Sequence, residues 1–261
     1  MSDLSTSTEP RAMRWYLQPV PFGRLILVHL RIWRAQRAVV AGSLLALAAG
    51  LASVTAATAH TSGTPTAATA ESFLAFASVA FSLLWLAIGA LAACAPFKTR
   101  WALVVLTVAP RRARWLAACL ASFLLIVTAV TALFAVLSIA LVMIVLTVQG
   151  HSPAAAFGVA RPAGVLLLPV LIQAMIGFAL GAATRSVAAS IIVGYVLAPL
   201  APMIKIGSAG IGRWLDLTGS VTAISSGAAT GAALLPAVTA VLFWVILPSL
   251  VAWFRLRSPI G

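Results

Sequence analysis

LAACLASFLLIVTAVTALFAVLSIALVMIVLTV, residues 116–148, contains no charged side chain. A helix needs about 20 apolar residues to span the hydrocarbon core of a bilayer. At about 1.5 Å per residue this run reaches about 50 Å, which is more than one core but too short for two crossings with a turn. In hydrocarbon the backbone must pair its own N–H and C=O groups. The run therefore predicts one membrane-spanning helix that projects beyond the bilayer.

The rest of the chain has the same character. Of 261 residues, 62% are hydrophobic and 8% charged, whereas about a quarter of a soluble domain is charged. We predict an all-α membrane protein with a single membrane domain over 38–257. Six spans are expected, at 38–59, 72–95, 116–148, 162–183, 187–204 and 233–254.

Charge sets the expected topology. The net charge is +13, from 17 basic residues and four acids. Basic residues gather on the cytoplasmic side of spanning helices. With both termini in the cytoplasm, only Arg161, Lys205 and Arg213 lie outside. The membrane thus accounts for the basic composition without a nucleic-acid partner, and we expect the inner or plasma membrane of the cell.

The N-terminal region divides into two parts. Residues 1–19 are polar and predict a disordered cytoplasmic tail. Residues 20–37 (VPFGRLILVHLRIWRAQR) predict a basic amphipathic helix in the cytoplasmic interface, with Trp33 toward the acyl chains of membrane lipids. The same pattern also fits a charged flank of the first span. The arginines of this helix are Arg24, Arg31, Arg34 and Arg37.

Catalytic and ligand-binding patterns are missing from the sequence. It has no HExxH or GxxxxGK[ST] motif, so we assign no catalytic, cofactor or metal residues and do not expect an enzyme. Glu71 is expected at the external mouth of the second span and Asp216 in an external loop over about 205–232. Without an acid at mid-membrane, ion-coupled transport loses support. Cys94 and Cys119 are expected to be buried apolar residues without a disulfide.

The cytoplasmic segment PFKTRWALVVLTVAPRRAR, residues 96–114, carries five basic residues. It predicts a short amphipathic helix followed by a Pro-Arg-Arg turn, which could transmit force from a soluble motor. A solvated loop would explain the same composition. The candidate coupling residues are Phe97, Lys98, Arg100, Pro110, Arg111, Arg112 and Arg114.

A second motif, GFALGAATR, covers residues 177–185. Gly177 and Gly181 form a pair of small residues four apart, which lets helix backbones approach closely. Arg185 marks a tight cytoplasmic turn between the fourth and fifth spans.

These motifs resemble the permease subunit of type 2 ATP-binding-cassette transporters, in particular the high-GC actinobacterial kind. The resemblance rests on the arginine-rich helix before the first span, the TVAPRR turn (107–112) running into WLAA, the GAATRS hairpin (181–186) and the final WFRLR (253–257). It implies a homodimer or a heterodimer with a second permease, and a separate ATPase that holds ATP and magnesium. It also implies that the segment after the second span docks on that ATPase, and that transport is export. One departure is FKTRW at 97–101, where the family often has an acid and a Gly-Thr pair.

Other classes remain open on the residues alone. A motor-independent membrane protein, such as a lipid-modifying enzyme, an assembly factor or a secondary transporter, would share the composition. The substrate is not predicted, because the spans offer mainly Ala, Leu, Val, Ser and Thr.

Overall fold

The secondary structure is helical throughout the part of the chain that the computed structural model describes, which is residues 21–59, 67–98, 112–148, 150, 167–196, 214–225 and 230–257. The helices are α1 (Phe22–Ala35), α2 (Arg37–Ala59), α3 (Ala67–Lys98), α4 (Arg112–Val148), α5 (Leu167–Thr184), α6 (Val187–Val196), α7 (Leu217–Ser225) and α8 (Leu234–Arg257). A 3-10 turn, Gly231–Ala233, precedes α8. The predicted all-α class is confirmed for these residues.

Within the described residues, four stretches are long and apolar enough to cross a bilayer, and they indicate a membrane protein. They are Arg37–Ala56, Arg114–Val145, Leu167–Thr184 and Gly231–Arg255. The predicted second and fifth spans fall on α3 and α6, where the apolar stretches Leu83–Phe97 and Val187–Val196 are shorter. The tail over 1–19 and the end of the fifth span, 197–204, lie outside the described residues.

The long apolar run folds as one continuous helix. Helix α4 has 37 residues, so its length is about 55 Å at 1.5 Å per residue. The helix is uninterrupted, and its sequence contains neither proline nor glycine, the residues that most often break a helix. Helices α1, α2 and α5 pack along α4, and α3 makes a smaller contact.

The interior of the bundle is aromatic and joins α3, α4 and α5. The Phe81 and Phe134 rings stack with centroids 4.5 Å apart, and Phe123 stacks on Phe178 at 5.7 Å. Trp85 packs at a tilt against Phe123 at 6.2 Å. All five side chains are essentially buried. Aromatic pairs in these geometries stabilise the packing beyond the area that they bury.

Helix α1 docks on α4, and the orientation expected for Trp33 is wrong. Trp33 is 1% exposed, and its indole N–H donates to the Ser122 hydroxyl at 2.8 Å. His29, one turn earlier, is also buried and packs edge-on against Trp115 at 5.6 Å. A buried indole N–H usually finds a hydrogen-bond partner, and for Trp33 that partner is on α4. Trp33 thus faces the bundle instead of the acyl chains.

The position expected for Asp216 is also wrong. Asp216 is 8% exposed and precedes α7, which packs against α8. The Trp244 indole donates to the carbonyl of Leu215 at 2.9 Å. Trp244 lies about 15 Å along α8 from Leu234 and about 20 Å from its last residue. Asp216 is therefore buried beside the middle of α8, at the start of a helix and not in a loop.

Candidate functional site

The ends of α3, α5 and α8 meet at one end of the bundle. Helices α3 and α5 run parallel there, since Gly177 faces Leu86 and Gly181 faces Ala90. The end of α8 reaches the same place through Arg255. This meeting point is the candidate functional site, because the segment that follows α3 is the predicted coupling segment.

The turn after α5 is built around Arg185. Its φ of 55° places it in the left-handed region, which costs a non-glycine residue about 1–2 kcal/mol. The Arg185 backbone N–H still donates to the Gly181 carbonyl at 2.9 Å, so the last turn of the helix is closed. Thr184 and Ser190 then join the two helices through a hydroxyl pair 2.7 Å apart. The turn is therefore tight and held on both sides.

Two arginines connect α5 to α8 in a reciprocal way. The Arg185 guanidinium Nη2 donates to the Arg255 carbonyl at 3.0 Å. The Arg255 Nη1 donates to the Ala183 carbonyl at 2.7 Å. The last carbonyls of a helix have no intrahelical partner, and the helix dipole favours cations there. Each arginine thus caps the C-terminal end of the helix that the other belongs to.

Phe97 brings the end of α3 into the same cluster. The Arg185 Cζ lies 5.5 Å from the centroid of the Phe97 ring, within the range of a cation–π contact. Phe97 is the residue before Lys98, where α3 ends. The coupling segment therefore begins directly at a contact with the α5 turn.

Close backbone contact ties α3 to α5 above this cluster. A Cβ atom added at Gly181 would lie 2.8 Å from the Ala90 carbonyl oxygen, and one added at Gly177 would overlap the backbone of Leu86. On the facing helix, a Cβ added at Gly89 would lie 2.8 Å from the Phe178 backbone nitrogen. The backbones of α3 and α5 therefore pack directly against each other, with no flexible side chain between them.

The remaining predicted coupling residues are distributed over both ends of the segment. Lys98 is the last residue of α3, and Arg112 is the first of α4. Arg114 is half-buried in the first turn of α4, next to Trp115 and its contact with α1. Arg100, Pro110 and Arg111 lie outside the described residues. The structure thus joins Phe97 with Arg185 and places Arg114 beside the α1 contact.

Three positions at these contacts do not follow from the sequence. Arg255 is predicted only to lie on the cytoplasmic side, whereas its contact with α5 joins residues 72 apart. Gly89 and Ala93 show the same four-residue spacing of small residues as Gly177 and Gly181, and this spacing is the signal that could have found them. Asp216 is predicted to lie in a loop, although an Asp before an apolar helix is a common N-cap.

Asp216 has a clear local role. Its Oδ1 accepts a hydrogen bond from the Gly219 backbone N–H at 2.9 Å, the bond expected of an N-cap residue. Among the side chains that the structure describes, no three His, Cys, Asp or Glu residues lie close enough to hold a metal ion. Cys94 and Cys119 are buried and form no disulfide, and the Cys94 thiol donates to the Gly181 carbonyl at 3.4 Å.

Comparison with known proteins gives no match, whether with protein families, curated proteins or solved structures.

Proposed function

We propose that this chain is the membrane-spanning permease subunit of an ATP-driven exporter of the type 2 ATP-binding-cassette class. It forms the translocation path and couples to a separate ATPase subunit, which holds ATP and magnesium. It crosses the cell membrane six times, with both termini in the cytoplasm. It works as a homodimer or with a second permease, so that two bundles enclose the path.

The observation that carries this proposal is the contact of Phe97, Arg185 and Arg255. A permease without its own motor must receive force at a cytoplasmic segment and distribute it to several helices. The end of α3 meets the α5 turn through Phe97, and the arginines join that turn to α8. Displacement of the segment after α3 would therefore reach three helices at once.

The mechanism that follows is alternating access. ATP binding draws two ATPase subunits together, and each presses on the segment between α3 and α4. On one side the movement passes through Phe97 to Arg185, and the close α3–α5 contact carries it along the bundle. On the other side it reaches the start of α4, where Trp115 packs on α1. Cargo is released outward when the two bundles separate.

Charge distribution supports the proposed orientation. Arg37 begins α2, Arg114 lies in the first turn of α4, and Arg185 and Arg255 lie at the meeting point of the helix ends. These cations mark helix ends that would face the cytoplasm under the positive-inside rule. The orientation thus puts the coupling segment on the side where ATP is available.

The proposal is tested by co-expressing the chain with an ATPase of the ATP-binding-cassette class encoded by a neighbouring reading frame. Residues 99–111 are scrambled in one variant, which leaves α3 and α4 intact. The matched control scrambles 151–160, a segment that the topology places outside. We expect the unaltered chain and the control to co-purify with the ATPase and to stimulate its ATP hydrolysis. The first variant is expected to lose that stimulation. Absence of co-purification, or equal activity of both variants, would overturn the proposal.

A secondary transporter is the second candidate, and a single observation favours it. Asp216 is a carboxylate buried near the middle of α8, and buried acids in spanning bundles often carry ions. The hydrogen bond to Gly219 gives the same carboxylate a structural purpose. Substitution by asparagine separates the two roles, as argued in the Discussion.

A further inference from the structure

Helix α1 has two unlike faces, and only one is used by the bundle. His29 and Trp33 are buried against α4. At 100° per residue they lie about 140° and 180° round the helix from Arg24. By the same calculation, Arg31 lies within about 20° of Arg24. Both arginines are exposed, so docking through Trp33 turns them away from the bundle.

The outward face is not simply polar. Leu27 is 60% exposed and Val28 41% exposed, and both lie between the two arginines in sequence. A surface that faces water alone would not place two large apolar side chains beside its cations. A surface in the head-group region would, because guanidinium groups bind phosphates while the apolar side chains enter the acyl boundary.

The charge on this face has no counterpart on its own helices. Neither α1 nor α2 contains an aspartate or a glutamate. Arg34 and Arg37 are also exposed and extend the cationic surface to the start of the first span. Four cations without an acid on the two helices are complementary to an anionic partner.

Chain connectivity determines which anionic partner is within reach. A single residue, Gln36, separates α1 from α2. Helix α2 contains a candidate span that begins at Arg37. The end of α1 is therefore held at the bilayer boundary, and the Trp33–Ser122 hydrogen bond holds its inner face on the bundle. Lipid head groups are the anions present at that boundary.

We propose that the outward face of α1, formed by Arg24, Leu27, Val28 and Arg31, binds anionic phospholipid head groups of the cytoplasmic leaflet. The guanidinium groups pair with the lipid phosphates, and the aliphatic side chains enter the acyl boundary. Binding holds α1 against the start of α4, next to Trp115. This inference does not depend on coupling to an ATPase, so the two proposals can fail separately.

The test is native mass spectrometry of the full chain in detergent, titrated with phosphatidylglycerol or phosphatidylcholine. The unaltered chain is expected to retain phosphatidylglycerol at least about tenfold better than phosphatidylcholine, with the preference falling as salt rises. The Arg24→Gln, Arg31→Gln double variant is expected to bind phosphatidylglycerol about ten- to thirtyfold more weakly. Replacing both by lysine should restore most of the binding.

The matched control is the Arg161→Gln, Arg213→Gln pair, which removes the same charge from segments predicted to lie outside. An equal loss in this control would overturn the proposal, since net charge alone would then explain the effect. The proposal also fails if the unaltered chain shows no preference for phosphatidylglycerol. That comparison needs no variant, so it decides the matter even where the double variant fails to fold.

Discussion

Arg185 and Arg255 cap each other's helices: Arg185 donates to the Arg255 carbonyl at 3.0 Å, and Arg255 donates to the Ala183 carbonyl at 2.7 Å. The two bonds close the C-terminal ends of α5 and α8 with charged donors at the place where α3 also ends. A positive charge beside a helix C-terminus is favourable on electrostatic grounds alone. The arrangement therefore stabilises the fold and connects three helices in the same contact.

Replacing Arg255 by alanine is expected to destabilise the protein. It removes the 2.7 Å bond to Ala183, and a hydrogen bond from a charged donor contributes about 1.5–3 kcal/mol when partly buried. We expect a loss of about 1–2 kcal/mol, because the residue is exposed to solvent. The measurement is the thermal unfolding midpoint in detergent. Arg24→Ala, on the outward face of α1, is the control and should leave the midpoint unchanged without anionic lipid.

Replacing Gly177 by alanine is expected to disrupt the α3–α5 contact. The new Cβ would overlap the Leu86 backbone, which cannot move as a side-chain tip can. We expect a loss of at least about 3 kcal/mol or failure to recover folded protein. Gly23→Ala is the matched control, because nothing lies within 4 Å of a Cβ added there. Size-exclusion profiles and unfolding midpoints of both variants decide the matter, and equal behaviour would contradict the proposed contact.

The α3–α5 glycine contact could be predicted only in part from the sequence. Composition predicted apolar helices, and spacing predicted that Gly177 and Gly181 lie at a helix interface. Neither could name α3 as the partner, because Gly89 and Ala93 are one of many small-residue pairs in an alanine-rich chain. The facing helix is a long-range property, which a single sequence does not specify.

The predicted and observed positions of Trp33 and Asp216 differ for physical reasons. The helical wheel of α1 shows which residues share a face, but both faces carry apolar side chains, so the wheel could not tell whether Trp33 meets lipid or α4. Asp216 lies in a stretch rich in Ser, Thr and Gly, which is typical of a loop. Its burial depends on α7 packing beside Trp244, a contact across 29 residues.

Protonation of His29 is expected to loosen the docking of α1. Burial against Trp115 lowers the pKa of His29 below its ordinary value of about 6.5. The charged residues nearest to this contact in sequence, Arg31 and Arg114, are cationic and do not favour an imidazolium. A depressed folded pKa gives stability that is complete above pH of about 6.5 and is lost as pH falls through the lowered value.

The measurement for His29 is the unfolding midpoint between pH 7.5 and 5. We expect the free energy of unfolding to fall by up to about 1.4 kcal/mol per pH unit below 6.5 in the unaltered chain, and the midpoint to fall with it. His29→Gln should show a smaller fall, and the difference between the two isolates His29 from His60 and His151. Parallel profiles would mean that His29 is not buried as the structure shows.

Replacing Asp216 by asparagine tests what the buried carboxylate is for. Asparagine is as good an N-cap as aspartate, whereas alanine costs about 1 kcal/mol. If Asp216 only caps α7 through the Gly219 N–H, then Asp216→Asn keeps both stability and stimulated ATP hydrolysis, and Asp216→Ala lowers stability alone. A carboxylate that carried an ion would behave otherwise, because asparagine cannot release a proton or bind a cation with a charge. Loss of transport in proteoliposomes with stability unchanged in Asp216→Asn would therefore favour the secondary transporter over the ATP-driven permease.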